Sequence, residues 1–262
     1  MNPRCGLHTH SIYSDGKNTT EEMIQAAIAA GLKTIGISDH AHMDFEDVWG
    51  MKLSKIESYK AELSRLKEKY GVLIEIKCGI EQDLYSDTDT AGYDYVIGSV
   101  HHIKVGDEYI PVDESAEILK KACEKHYEGD FYRMAEAYYE GVARIAEVTK
   151  PDIIGHFDLI TKFCEKEALF DENDERYKAA WKKAADALLP YGIPFEINTG
   201  AITRGCRPTP YPSKEIYRYL KENGASFVYS SDSHSAEALT DSHKDFFVNK
   251  AVNSIRYKDY YE

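Results

Sequence analysis

Short apolar runs alternate with longer amphipathic stretches along most of the chain. Runs at 4–8, 33–38, 73–79, 93–100, 152–156, 194–198 and 226–231 read as strands. Helical periodicity fills 20–30, 54 to about 71, 115–149, 174–189 and 213–223, and part of the stretch from 236 to about 257. Gly31 and Gly224 suit helix ends, and Gly129-Asp130 breaks the long third segment. Ser54-Lys55-Ile56-Glu57 reads as a capping box. This alternation predicts βα units and parallel pairing. Seven strands with crossovers predict a closed or nearly closed α/β barrel. An open doubly wound sheet is the competitor, and its nucleotide-binding form is disfavoured because no glycine-rich fingerprint follows the first strand. The 262 residues hold no low-complexity segment, linker or convincing repeat, so one domain spanning 1–262 is expected.

The residues that follow each strand add chemistry to that outline. The first run leads to His8-Thr9-His10 and Asp15, the second to Asp39-His40, and the third to Glu81. The fourth leads to His101-His102 and the fifth to His156. The sixth carries Glu196 and Asn198, and the seventh ends in Asp232-Ser233-His234. Active sites of α/β barrels are built at this C-terminal face. Of the ten histidines, only His126 and His243 lie well away from these ends.

Residues two apart on a strand point the same way, so His8 and His10 can grip one ion together, as can Asp232 and His234. His101 and His102 cannot both point inward if the strand persists, and His101 is the expected one. Glu81 can bridge two metals. Taken singly, each group has a plain structural reading: Asp39-His40 or Asp232-Ser233-His234 as a helix cap, Glu81 as a surface acid, His156 as a core histidine. Together those readings would require every strand end to be polar by accident in one register. Imidazole and carboxylate ligands suit zinc, manganese or iron.

Composition narrows the partners. The formal net charge is −13 with no clustered Lys/Arg, which disfavours a long nucleic acid. An anionic small substrate must be drawn by metals or a few local cations. The five cysteines form no CxxC pair and read as free thiols. No apolar run reaches the ~18 residues of a membrane span, and the first residues lack a secretory pattern, so a cytoplasmic protein with no membrane partner is expected.

The set His8-Thr9-His10, Ser14-Asp15-Gly16, Ser38-Asp39-His40, Gly79-Ile80-Glu81, Gly98-Ser99-Val100-His101, Gly155-His156 and Ser231-Asp232-Ser233-His234 resembles the polymerase and histidinol phosphatase (PHP) superfamily, in order over nearly the whole chain. The resemblance implies a distorted (β/α)7 barrel with three divalent ions. His8, His10, Glu81 and Asp232 would hold the first, Glu81, His101 and His156 the second, and Asp15, His40 and His234 the third. Within the superfamily the chain looks most like the histidinol-phosphatase branch, through Gly155-His156-Phe157-Asp158-Leu159-Ile160 with Lys162-Phe163, Phe195-Glu196-Ile197-Asn198-Thr199 and Tyr211-Pro212-Ser213.

What this implies is hydrolysis of a small phosphate monoester, L-histidinol phosphate, in histidine biosynthesis, by attack of a metal-bridging hydroxide. Arg204 and Arg207 are candidates for a phosphate clamp. Glu196 and Asn198 either read the substrate's amine or imidazole or order the metal shell. His42 either contacts substrate or sits solvated in its loop. Asp232 or His234 is the candidate proton donor. Rival readings are another PHP-type phosphoesterase (acting on short oligonucleotides, nucleotides or protein phosphotyrosine), an amidohydrolase-type barrel, and a non-catalytic metal-stabilised module.

Overall fold

The computed structural model describes residues 5–45, 48–243 and 261. Among them, seven parallel strands form one sheet. They are β1 (Cys5–Gly6), β2 (Thr34–Ile37), β3 (Glu75–Asp83), β4 (Tyr95–Ser99), β7 (Ile153–Ile154), β8 (Phe195–Asn198) and β9 (Phe227–Ser230), adjacent in that order. The sheet closes at its C-terminal mouth. Thr9 and Ser233 form a parallel bridge, and His10 N donates to Ser233 O at 2.9 Å. The architecture is the expected distorted (β/α)7 barrel, with strands mostly shorter than their apolar runs. The exception is β3, which starts two residues later than expected and continues through Glu81 to Asp83.

Helices cover the outside. They are α1 (Thr20–Ala29), α2 (Ile56–Tyr70), α3 (Ala116–Tyr127), α4 (Phe131–Val142), α5 (Ile145–Thr149), the short α6 (Cys164–Glu167), α7 (Glu175–Leu188), the short α8 (Gly200–Thr203), α9 (Lys214–Glu222) and α10 (Ala236–His243). The capping box stands one helix earlier than expected. Thr19 Oγ1 accepts from Glu22 N while the Glu22 carboxylate accepts from Thr19 N. Ser54 sits instead inside a 3₁₀ turn, Leu53–Lys55, so its hydroxyl is not at the start of α2. The break near Gly129 is real: Glu128 and Gly129 are left-handed, and Asp130 caps α4. Residues 244–257 of the last expected helix, and the side chains of Tyr257 and Tyr260, lie outside the described residues. Tyr261 is buried against Tyr217 and donates to Pro212 O at 2.7 Å.

One feature of the topology lies outside the seven-strand reading. Between β4 and α3 the chain makes an antiparallel hairpin, β5 (His102–Val105) with β6 (Glu108–Pro111), turning at Gly106 with φ of 60°. Because β4 is three strands from both β1 and β9, this hairpin stands across the mouth from the β9–β1 seam.

Alternate strand positions face the barrel interior. Low in it, Tyr95, Ile97 and Ile153 form an apolar plug. Gly36 and Gly79 leave room for the Tyr95 ring, which a Cβ on either would overlap. Higher up, the same strand faces turn polar: Ser99 on β4, Glu81 on β3, Glu196 and Asn198 on β8, Ser230 on β9. The large apolar clusters lie outside the strands, under α1 and α2 on one side and under α3, α4, α7 and α9 on the other.

Candidate metal centre and active site

Glu81 stands at the centre of the mouth, fully buried. Its Oε1 accepts from Ser99 Oγ at 2.6 Å and faces His156 Nε2 at 3.0 Å and His101 Nε2 at 3.3 Å. Its Oε2 faces His40 Nδ1 at 2.9 Å, His8 Nε2 at 3.1 Å and His10 Nε2 at 3.5 Å. Asp232 approaches from the last strand, with Oδ1 3.3 Å from His10 Nε2 and 3.7 Å from His8 Nε2. It does so with φ of 45°, a left-handed conformation that Asp tolerates better than most side chains. Further out, Asp15 faces His234 at 3.2 Å and His40 at 3.7 Å.

The outer edge is held by Asp39, whose carboxylate accepts from Ser11 N and Ser14 N at 2.8 and 3.1 Å and from both serine hydroxyls. It is thus a loop organiser rather than a helix cap. Gly16 completes that loop: its N donates to Ser11 O, and a Cβ there would lie 2.6 Å from the His10 carbonyl.

A second layer orients the imidazoles. Glu196 Oε1 takes His8 Nδ1 at 2.6 Å, and Oε2 accepts from His156 N and Asn198 Nδ2. Asp83 accepts from His101 N at 2.8 Å and faces His101 Nδ1 at 3.2 Å. Such partners fix which ring nitrogen is free to bind.

The electrostatics follow from packing acids against imidazoles out of water. Burial alone would push the Glu81 carboxyl up, but His8, His40 and His101 hold it well below its usual range. Burial penalises a charged His8, yet Glu196, Glu81 and Asp232 raise it well above its usual value. Burial, joined by His234 and His40, pushes His10 down to about 3. For Asp232, the cost of burial is outweighed by Arg204 and His8, and the carboxyl stays ionised.

Divalent ions fit this donor set. His8 Nε2, both His10 nitrogens and Glu81 Oε2 are buried without a hydrogen-bond partner. That is a costly state unless a cation takes their lone pairs. Ligand atoms of His8, Glu81 and His156 lie within 4.8 Å of one another, as do those of His40, Glu81 and His101, of His8, His10 and Asp232, and of His10, Asp15, His40 and His234. All nine expected ligands therefore meet in one mouth. His102 does not join them; it stacks on Trp49 at 5.7 Å.

The expected substrate contacts are placed differently. Glu196 and Asn198 lie beneath the ligands: Asn198 Nδ2 binds Glu196 and Asp232, and its Oδ1 takes Gly200 N. Both are committed to the shell rather than to a substrate. Arg207 is buried behind the mouth, where Thr161, Thr209 and Glu165 take its guanidinium over the Tyr211 ring. His42 pairs with Asp44 at 3.2 Å and does not line the pocket. Arg204 does line it, with Nη2 at 2.9 Å from Asp232 Oδ2 and Nη1 donating to Asp232 O. Gly200 permits this pair, since a Cβ there would crowd both Asp232 and Arg204.

The pocket holds about 530 Å³, within the ordinary range for a small-molecule site. Trp49, Pro111, Asp113, Glu114, Leu159 and Lys162 form its other wall, and Lys17 stands at the rim beside Asp15. Sequence reasoning gave none of these a role, although Lys162 belongs to a quoted motif. Lys162 Nζ donates to Asp113 O at 2.7 Å and pairs with its carboxylate at 3.1 Å. Burial raises the Asp113 carboxyl, but Lys162 and His101 bring it down to about 2, so it is ionised.

A parallel barrel with a mouth of imidazoles and carboxylates defines a metal-type hydrolase scaffold. The sequence profile of the PHP domain matches residues 6–200, and the chain belongs to that family. A relative from Schizosaccharomyces pombe named "Probable histidinol-phosphatase" is 31% identical over 87% of this chain and 79% of its own length. The hisK protein of Listeria monocytogenes has the same fold, with a TM-score of 0.78 at 23% identity over 90% of this chain and 97% of that one. So has the histidinol phosphate phosphatase of Lactococcus lactis, solved with zinc, L-histidinol and phosphate, with a TM-score of 0.63 at 21% identity over 88% and 86%. Among the described residues, no helix is long and apolar enough to cross a membrane.

Proposed function

We propose that this protein is a metal-dependent phosphomonoesterase that hydrolyses L-histidinol phosphate to L-histidinol and inorganic phosphate, a step of histidine biosynthesis. The observation that carries the reading is the convergence of nine ligand-type side chains, Glu81 at their centre, in one mouth, with buried ligand atoms that lack other partners. The relatives' names support the substrate, and zinc in the Lactococcus lactis structure supports the kind of ion.

His8, His10, Glu81, Asp232, His101, His156, Asp15, His40 and His234 would hold three divalent ions. When bound, these would lower the pKa of a water and neutralise phosphoryl charge. Arg204 keeps guanidinium N–H groups beyond those given to Asp232, and these grip non-bridging phosphoryl oxygens. Water oxygen joins phosphorus as the bond to the histidinol oxygen breaks, and that oxygen takes a proton. Ionised Asp232 has none to give. His234, a candidate ligand whose Nδ1 faces the donor-only Arg204 guanidinium at 3.1 Å, has none to spare either, so the proton comes from water in the mouth. Across the mouth, Glu114 offers charge complementary to the substrate's ammonium.

The test is phosphate release from L-histidinol phosphate, p-nitrophenyl phosphate and a short oligonucleotide, before and after chelation and with zinc or manganese restored. The expected outcome is a metal-dependent preference for the first, on the order of 10² or more in kcat/KM. Equal rates on all three would overturn the substrate, and full activity after chelation would overturn the metals.

A further inference from the structure

Among the described residues, three cations line the pocket: Lys17, Lys162 and Arg204. Two are already neutralised within the protein, Arg204 by Asp232 at 2.9 Å and Lys162 by Asp113 at 3.1 Å. Lys17 is exposed at the rim and has no ion pair or side-chain hydrogen bond among the described residues. We infer that Lys17 is a substrate-binding residue that engages the phosphoryl group from the seam side of the mouth, beside Asp15 and His234.

Lys17 N donates to His234 O at 2.8 Å, so its Cα is tied to the strand end that carries two of the nine ligand-type residues. The residue before it is the crowded Gly16. The residue after it, Asn18, accepts from Ile12 N and, through its side chain, from Ala236 N at 2.9 Å. A long flexible side chain thus springs from a fixed base next to the candidate ligands. The mouth otherwise presents the carboxylates of Asp15, Glu81, Asp113, Glu114 and Asp232, in a chain of net charge −13. A phosphate dianion entering it meets in Lys17 a cation that no acid among the described residues has claimed, in addition to the N–H groups that Arg204 keeps free. An ammonium at the rim also raises encounter rates in a salt-dependent way.

This inference deepens the phosphomonoesterase reading and rests on it. The test compares metal-loaded parent, Lys17→Gln and Lys17→Arg. It measures kcat and KM for L-histidinol phosphate at two ionic strengths, the affinity for inorganic phosphate by calorimetry, and metal content. Lys17→Gln is expected to raise KM and weaken inorganic phosphate about tenfold, with kcat within about twofold, metal content unchanged and a flatter salt dependence. Lys17→Arg is expected to recover most of the affinity. KM and phosphate affinity within twofold of the parent in fully loaded Lys17→Gln would overturn it, as would equal losses in the Gln and Arg variants. If the parent releases no phosphate from L-histidinol phosphate, the substrate reading fails by itself, and the calorimetric comparison still decides Lys17.

Discussion

The two sides of the mouth are built on different principles. The ligand cluster hangs on strand ends or just beyond them, with Asp15 in the loop after β1, and carboxylates such as Asp83 and Glu196 hold the backbone of His101 and His156 there. The facing wall comes from an inserted hairpin, a half-buried tryptophan and the turns around Asp113 and Leu159. The contrast separates what holds the chemistry from what greets the substrate. Damage to the first should abolish turnover of every ester, whereas changes in the second should redistribute preference among esters.

The largest effect is expected from Glu81→Gln, because both oxygens of Glu81 face imidazoles. Activity should fall by about 10³ or more on all substrates, with metal content reduced, as read by turnover and elemental analysis. A variant retaining full metal and selective activity would break the division. Glu196→Gln should act through His8, which it orients at 2.6 Å. Metal affinity is expected to drop about 10- to 100-fold by competition with a chelator, and excess metal should restore kcat. The smallest effect is expected on the wall: Glu114→Gln should raise KM for L-histidinol phosphate about threefold and leave p-nitrophenyl phosphate unchanged. An equal change on both esters would place Glu114 outside substrate discrimination.

The same division governs what the sequence could reveal. His8 with His10, and Asp232 with His234, were visible because their spacing is the strand period of two, and Glu81 because it closes an apolar run. All seven barrel strands could be read from short apolar runs, and the parallel topology followed from the helices between them. Glu196 and Asn198 share that spacing, but sequence alone could not say whether their side chains meet a substrate or a ligand. Depth in the barrel decided it, since both sit below the imidazoles. Arg207 failed for a related reason: a loop cation is as able to turn inward, towards Thr161 and Glu165, as towards solvent.

The hairpin did leave a trace in Ile103, Val105, Tyr109 and Ile110 around Gly106-Asp107, too short to stand out behind two histidines. Trp49 gave none, because its place depends on stacking over His102, far along the chain. Asp39 and Asp83 were readable as neighbours of ligands, but their service to Ser11, Ser14 and His101 exists only in three dimensions.

The joint between the first and last strands has one more consequence. Thr9 pairs with Ser233, so His8 and His10 on one lip face Asp232 and His234 on the other. An ion gripped by both lips would work as a rivet across a joint where the cylinder is sewn shut by little backbone. Acquisition of metal and completion of the cylinder then become a single thermodynamic event, and starvation for metal would be felt as loosened architecture as well as lost turnover.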